Sequence, residues 1–250
     1  MTSVREGAGA ANLSKFLLSV RRRPTLWLGG FIVAALAFIA LFAPWLGTDD
    51  PNHIAVVYRM RFPSADHWFG TDSLGRDLYS RVLYGTRVSL PAGLAVSALA
   101  SGLGVAIGPI SGLNRVVDMI AMRIVDGLMA IPPILLAIAL VALSGANVRN
   151  VIVALTVGET PRVVRLMRSV VLSAREEPYV EGAVTSGTRA LTILWRHILP
   201  NTMSPILVQA TYIFASAMIA EAALSFIGAG IPSGCSPSSS PILQSAQVTL

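Results

Sequence analysis

Two aspartates five positions apart are the first residues in this sequence that could carry chemistry. Asp72 and Asp77 lie in the stretch "FGTDSLGRDLYSRVLYG" at residues 69–85. Paired carboxylates can act as general acid and base or can hold a cation. An aspartate ahead of a helical apolar pattern is also typical of an N-cap. That pattern follows here at four-residue spacing, in Leu74, Leu78 and Val82. We therefore favour capping by Asp72 and solvated charge, in a short amphipathic helix at the outer surface that leads into the next apolar segment.

Other catalytic and metal-binding patterns are missing from the sequence. His53, His67 and His197 lie in different segments, and the single Cys235 allows neither an internal disulfide nor a multi-cysteine metal site. The only lysine is Lys15, so no phosphate-binding loop ending in Lys-Ser or Lys-Thr exists. H-E-x-x-H and G-x-S-x-G motifs are absent as well. We predict no catalytic residue and no metal, which disfavours the alternative of an intramembrane enzyme.

The composition indicates an integral membrane protein. The 250 residues are 54% hydrophobic and 13% charged, against about 25% charged in soluble domains. The mean hydropathy is +0.67. The net charge of +6 comes largely from arginines that flank apolar runs. The tendency of basic residues to stay on the cytoplasmic side explains this placement, so we predict no nucleic-acid partner.

Five apolar stretches predict an all-α fold with about five membrane spans. They cover residues 26–46, 88–112, 119–143, 148–168 and 202–224, and a span needs about 20 apolar residues. Arginines at positions 21–23 place the tail of residues 1–25 in the cytoplasm. A signal peptide is the alternative interpretation of this end, but no A-x-A cleavage site follows, so a retained anchor is favoured. A Ser/Pro-rich tail at 232–250 contains no span.

Small residues in the second span predict close helix packing. Ala100, Gly104, Gly108 and Gly112 recur every four residues and so lie on one helix face. Small residues at this spacing let helix backbones approach each other within lipid. The stripe therefore predicts a packed helix bundle, and it says nothing about a ligand.

Charged residues and prolines interrupt the later spans. Arg123 and Asp126, three positions apart, can pair near the inner interface. Pro132 and Pro133 lie within the third span and should bend it, either to line a pathway or only to allow packing. The fourth span becomes polar at Glu159, Pro161 and Arg162, where we expect it to emerge on the cytoplasmic side.

Glu221 is an ionisable residue inside the fifth apolar run, residues 202–231. Such a residue marks a functional site in the membrane by default, so Glu221 is a candidate for a pathway or gate together with the two prolines. The alternative is a carboxyl near the outer interface that is hydrogen-bonded within the bundle. We favour this alternative.

The loop of residues 176–200 has the pattern of a short projecting helix followed by a second one. Pro178 favours the start of the first helix, and Glu181 suits the positive end of its dipole. Gly182 and Ala183 keep that helix slim, and Gly187 can end it with a positive φ. The second helix is expected to return to the membrane and to stop before Pro200. Its apolar residues are Leu191, Leu194 and Ile198.

Five motifs in this order resemble the permease subunits of binding-protein-dependent ABC importers. They are "GTDSLGRDLYSRVLYG", "IPPILLAIALVAL", "PYVEGAVTSG", "WRHILPN" and "EAALSFIGAG". Together they are similar to the C-type permease of the dipeptide/oligopeptide/nickel branch, over roughly residues 20–231. The loop resembles the E-A-A-x-x-x-G…I-x-L-P loop of those subunits.

The resemblance implies the transmembrane domain of a type I ABC importer in the cytoplasmic (inner) membrane, with six spans in the family. It implies a second permease subunit, two ABC ATPase subunits that bind ATP and magnesium, and an extracytoplasmic solute-binding protein. This chain itself is expected to bind no cofactor and to move di- or oligopeptides or a similar small solute. By the same resemblance, residues of the 176–200 loop couple to the ATPases. These are Glu181, Gly182, Ala183, Gly187, Ile198, Leu199 and Pro200.

Two departures from the family pattern carry expectations of their own. Gly182 stands where the family usually has alanine, which costs the helix about 1 kcal/mol of propensity. Residues 232–250 stand where the family continues into a sixth span, which suggests a truncation or frameshift and places the C-terminus outside. The alternative function is accordingly a truncated, transport-incompetent remnant of such a permease.

Overall fold

The computed structural model describes residues 24–46, 50–51, 53–145 and 147–227. Across these ranges the chain is mostly helical, and its only extended pairing is an isolated bridge between Thr71 and Asp77. The expectation of an all-α fold is confirmed. Cys235, the tail at 232–250 and nearly all of the predicted cytoplasmic tail lie outside the described residues.

The chain divides after Val88 into two compact units, Met1–Val88 and Ser89–Leu250. In the first unit, helix α1 covers Pro24–Phe42, and 3₁₀ turns follow at Ala43–Trp45 and Val56–Tyr58. Large apolar side chains of α1 are exposed, and Phe31 is 71% exposed. Because a helix that is apolar all round suits lipid, this agrees with the first predicted span.

Asp72 organises a turn in the first unit instead of capping a helix, so its predicted role was wrong. Its carboxylate accepts hydrogen bonds from the backbone N–H groups of Leu74 (2.8 Å) and Arg76 (2.9 Å). The side chains of Arg76 (2.9 Å) and Arg81 (2.6 Å) also donate to it. A carboxylate with this many donors is a structural anchor, and a cation would have to displace two guanidinium groups to reach it.

Asp77 caps the helix that Asp72 was expected to cap. Its Oδ2 accepts from the backbone N–H and the hydroxyl of Ser80, each at 2.7 Å, and His67 Nδ1 lies 3.2 Å from Oδ1. An N-cap side chain bonds the N–H three residues ahead, and the helix starts at the next residue, Leu78. The carboxylates thus have separate structural roles. The expectation of solvated charge was wrong, because the side chains of Asp72 and Asp77 are only 12% and 8% exposed.

We expect the turn around these aspartates to loosen in acid. Burial opposes the charged form of Asp72, but the N–H groups of Arg76 and Leu74 and the Arg76 guanidinium outweigh it, so the pKa of Asp72 lies below its ordinary value. A lowered pKa in the folded state stabilises the fold above the unfolded pKa of about 3.9, and this stabilisation is lost as the pH falls through the folded value. Hydrogen-exchange protection of the Leu74 and Arg76 amides should therefore fall below about pH 4. Protection unchanged down to pH 2 would contradict this. Asp72→Asn should reduce the pH dependence, and the remainder belongs to Asp77, whose pKa is also lowered.

Helix α2 runs without a break over Leu78–Leu113. The predicted surface helix at 69–85 was therefore wrong as a separate element: its second half is the start of α2, and Leu74 precedes the helix. At about 1.5 Å per residue, 36 residues extend well beyond a bilayer core of about 30 Å. The predicted second span at 88–112 is the later part of this helix.

The predicted third span is two helices with a sharp turn between them. Helix α3 covers Arg115–Met129, capped by Asn114, and α4 covers Pro133–Ser144. Their axes turn through 87°. Pro132 precedes the first residue of α4, and neither proline could donate a helical hydrogen bond. The predicted effect of the two prolines is confirmed, and it is a break more than a bend.

The remaining elements follow a long helix, α5, over Val148–Arg175. Helix α6 is Pro178–Thr185 and α7 is Ala190–Ile193. A π-helical segment at Leu194–Ile198 leads into α8, Leu199–Asn201, and then into α9, Met203–Phe226.

Among the described residues, three helices are long and apolar enough to cross a membrane: Trp27–Trp45, Leu78–Leu113 and Met203–Phe226. The bent pair α3–α4 makes a fourth if it counts as one span. The predicted fourth span lies in α5, which does not meet this criterion; its charges begin at Arg149 and recur to Arg175. By this measure the described residues hold three or four candidate spans where the sequence predicted about five.

The glycine stripe of α2 is the contact surface for α5. A Cβ added at Gly104 would overlap the side chain of Val163, and one at Gly108 would lie 2.5 Å from Met167 Cβ. One at Gly112 would lie 2.8 Å from Val171 Cγ1. The predicted close packing is confirmed. Around it, the buried core of the second unit includes Val96, Ala100, Val151, Val163, Met167, Ile213, Ala217 and Leu224.

Candidate functional site

The short helix α6 begins as the sequence predicts. Glu177 is its N-cap residue with extended backbone, and Pro178 occupies the first helical position, where its missing N–H costs nothing. Glu181 lies in the first turn, near the positive end of the helix dipole. Glu181 and Gly182 are both exposed. The helix thus presents an acidic, slim face to its surroundings.

Gly187 ends α6 in a Schellman motif. Its φ is +76°, its N–H donates to Val184 O (2.9 Å), and the N–H of Thr188 donates to Ala183 O (3.1 Å). Both bonds satisfy carbonyls that the last helical turn leaves free. A residue with a Cβ would be strained at this φ, so the predicted terminator is confirmed.

A small apolar cluster fixes this loop to the end of α5. Buried side chains from α5, α6, α7 and the π-helical segment meet in it. They are Val171, Val180, Ile193, Leu194 and Ile198. Val180 lies in this cluster and is only 3% exposed, whereas its neighbours Glu181 and Gly182 are exposed. The exposed face of α6 therefore sits on a packed base that it shares with the end of α5.

The predicted stop before Pro200 was wrong. The helical path continues through Leu199–Asn201, where Pro200 is the second residue of α8. Proline lacks an N–H, and its ring clashes with the carbonyl four residues earlier. The π-helical turn just before it, Leu194–Ile198, inserts one extra residue and shifts that carbonyl. Ile198 is fully buried and belongs to the cluster, whereas Pro200 is exposed.

Space around Gly182 is open: a Cβ there would meet nothing within 4 Å. The described structure therefore does not require glycine at this position, and alanine would fit. The effect of Gly182 on α6 is one of helix propensity, about 1 kcal/mol, and not of packing.

Three arginines of α5 tie this helix to α2 and α3. Arg168 forms a two-bond ion pair with Asp118, with Nη2 2.6 Å from Oδ2. Arg165 Nη2 lies 2.5 Å from Asp126 Oδ1, and Arg175 Nη1 donates to the Gly112 carbonyl at 2.8 Å. The predicted Arg123–Asp126 pair was wrong, because Arg165 reaches Asp126 from the neighbouring helix.

A cavity of about 310 Å³ lies between α4, α5 and α9. Its polar lining comes from Glu159 and Arg162 of α5 and from Tyr212 and Ser216 of α9, and Pro133 contributes from the start of α4. Glu159 is buried, with 5% exposure, so α5 does not simply become solvated there as the sequence suggested. This site could have been predicted from a Glu and an Arg three positions apart in an apolar helix. Ionisable side chains in such a helix need polar partners.

Glu221 lies elsewhere in the same unit and does not line this cavity. It is buried and accepts hydrogen bonds from Ser89 (2.9 Å) and Ser225 (3.2 Å). This is the arrangement of the favoured alternative, a carboxyl hydrogen-bonded within the bundle, and its role in a gate stays a prediction. Of the two prolines predicted with it, only Pro133 lines the cavity.

Potential metal ligands are dispersed in the part of the chain that the structure describes. No group of three or more His, Cys, Asp or Glu side chains within those residues could hold a metal ion.

Comparison with known proteins gives consistent similarities over most of the chain. The family described as "Binding-protein-dependent transport system inner membrane component" matches residues 100–245. A probable peptide ABC transporter permease of Sinorhizobium fredii is 47% identical over 213 residues, which cover 85% of this chain and 73% of that relative. A dipeptide transport permease of Alkalihalophilus pseudofirmus is 41% identical, covering 81% and 67%. A probable D,D-dipeptide transport permease of Escherichia coli K12 is 40% identical, covering 88% and 74%.

Proposed function

Because this chain belongs to the family of inner-membrane components of binding-protein-dependent transport systems, we propose that it is the permease subunit of an ATP-driven importer of di- or oligopeptides. The relatives are named as transport permeases of peptides and dipeptides. Together with the membrane-length helices, this makes the chain a multi-pass membrane protein and a transport subunit. ATP and magnesium belong to partner ATPase subunits, and the chain itself binds no cofactor in this proposal.

The single observation that carries the coupling role is the exposed α6 on its buried base. Glu181 and Gly182 face outward while Val180 anchors the helix from below. We propose that a partner ATPase receives this helix in a groove, through Glu181, Gly182, Ala183 and Gly187. In this proposal α6 is supported by the segment that leads back towards α9, through Ile198, Leu199 and Pro200. An α6 packed in this way moves with α5 as a unit.

The hydrogen bonds of the α5 arginines connect α5, and with it α6, to the neighbouring helices of the bundle. Arg168 and Arg165 bind carboxylates of α3, and Arg175 binds the end of α2. A displacement of α6 would therefore shift the junction of three helices and not α5 alone. In the proposal, closure of two ATPase subunits turns this permease and its partner permease outward, and an extracytoplasmic solute-binding protein delivers the peptide.

The experiment that tests this function is ATP hydrolysis by the reconstituted complex. The chain is combined with its neighbouring permease, two ATPases and the binding protein in proteoliposomes, with and without trialanine. Peptide-stimulated hydrolysis together with uptake of labelled trialanine is the expected result. Hydrolysis that no peptide stimulates, from a complex of correct composition, would contradict the proposal and favour the transport-incompetent alternative.

A further inference from the structure

The cavity between α4, α5 and α9 has the size and lining of a site for a small polar group. Its volume of about 310 Å³ is at the lower end of the range for ligand pockets, about 300–1,000 Å³. Apolar side chains form most of the wall, among them Ile134, Leu155 and Ile219. Four polar side chains converge in it, which is the pattern of pockets that orient a ligand by few polar contacts.

Arg162 is the accessible charge of this cavity, and Glu159 is the buried one. The side chain of Arg162 is 35% exposed, compared with 7% for Glu159. Arg162 Nη1 lies 3.3 Å from Glu159 Oε2 and 3.4 Å from the Tyr212 hydroxyl. Both of these contacts within the described chain use Nη1, so Nε and Nη2 keep donors for a further partner.

Glu159 is held in place from the other side. The Ser216 hydroxyl donates to Glu159 Oε1 at 3.0 Å, so each carboxylate oxygen already has a donor. Glu159 therefore orients Arg162 and is not itself the open site. A cation entering the cavity would meet the guanidinium first, whereas an anion would meet free N–H donors.

The N-terminal end of α4 also favours an anion over a cation in this cavity. Pro133 and Ile134 line the cavity and belong to the first turn of this 12-residue helix. The N-terminus of a helix carries a partial positive charge and free N–H groups. An apolar wall strengthens the attraction between the guanidinium and an anion relative to water, and the helix end adds to it against the repulsion from the paired Glu159 carboxylate.

We propose that this cavity binds the C-terminal carboxylate of a peptide on its way through the membrane, with Arg162 as the binding residue and Glu159 as the positioning residue. A planar guanidinium can hold a carboxylate through two parallel hydrogen bonds, which a lysine cannot do. The inference deepens the proposed function and rests on it, because it takes the solute to be a peptide with a free C-terminus.

The test measures peptide binding to the permease directly, without the solute-binding protein. Saturation-transfer NMR is recorded on the ATPase–permease complex in proteoliposomes with trialanine or trialanine amide. We expect transfer to trialanine to exceed transfer to the amide, and Arg162→Gln to weaken trialanine binding by about tenfold or more, the loss of a charge-assisted contact. Arg162→Lys should retain an intermediate affinity, and Arg149→Gln, at an exposed arginine of the same helix, should change nothing.

Equal signals from peptide and amide, or an Arg162→Gln complex that binds trialanine normally, would overturn the proposal. A normal elution volume and co-purification of both ATPase subunits establish that Arg162→Gln still assembles, and Arg162→Lys serves if it does not. Trialanine uptake with the binding protein is measured in parallel. Uptake without carboxylate-dependent binding overturns this inference alone, whereas binding without any uptake overturns the proposed import.

Discussion

Gly108→Ala should destabilise the protein by about 1–3 kcal/mol, although alanine is the better helix former. Helix propensity favours alanine by about 1 kcal/mol. Against this, the new methyl would lie 2.5 Å from Met167 Cβ and 2.9 Å from the Val164 carbonyl oxygen. A backbone carbonyl within α5 cannot rotate away, so α2 and α5 must separate. Separation loosens the buried packing on both sides of the contact, and this loss exceeds the gain in helix propensity.

Gly102→Ala is the matched control, because it lies on the same helix and a Cβ there meets nothing within 4 Å. Its stability should stay equal or rise slightly. Both variants are compared with the parent protein by thermal unfolding in detergent, followed by circular dichroism. A Gly108→Ala protein that melts at the parent temperature would show that the stripe is not a tight contact. Larger residues at Gly108 should prevent accumulation in the membrane.

The stripe and the loop could be predicted because their signals are local. Small residues at helical spacing lie on one helix face, and the structure packs α5 against the three glycines of that face. Likewise, a proline start, an acidic first turn and a glycine at the end determine α6 almost without tertiary context. In both cases the residues that decide the structure are within a few turns of each other in the chain.

The predictions that failed depend on residues distant in sequence. Sequence spacing favours Arg123 as the partner of Asp126. Only the packing of α5 on α3 brings Arg165 to Asp126 instead. The cavity brings together Pro133, Arg162 and Tyr212, which no spacing rule connects. The predicted N-cap at Asp72 was wrong for a different reason. Two aspartates precede the helix start, and Asp72 is held in a turn by hydrogen bonds from arginine side chains, so the other aspartate is the cap.

Glu181→Arg should remove peptide-stimulated ATP hydrolysis from the reconstituted importer while leaving the fold intact. The fold is expected to survive because the base of α6 rests on Val180 in the buried cluster, and the loss of a favourable dipole contact costs only about 0.3–1 kcal/mol. Docking of the ATPase on α6 is more sensitive to this substitution than the fold is. Reversing an exposed charge at the centre of a proposed interface costs about 2 kcal/mol or more, which is over tenfold in affinity.

Two further variants distinguish the effect of the charge at position 181 from the effects of side-chain size and of position in the loop. Glu181→Gln keeps the size of the side chain and should show an intermediate loss if charge matters. Glu176→Arg reverses another exposed acid just before α6, at the C-cap of α5, and should retain stimulation. Co-purification of the ATPases with each permease variant measures docking apart from turnover. If Glu181→Arg retains both the ATPases and full stimulation, then α6 is not the coupling helix, and the apolar base beneath it has only a structural role.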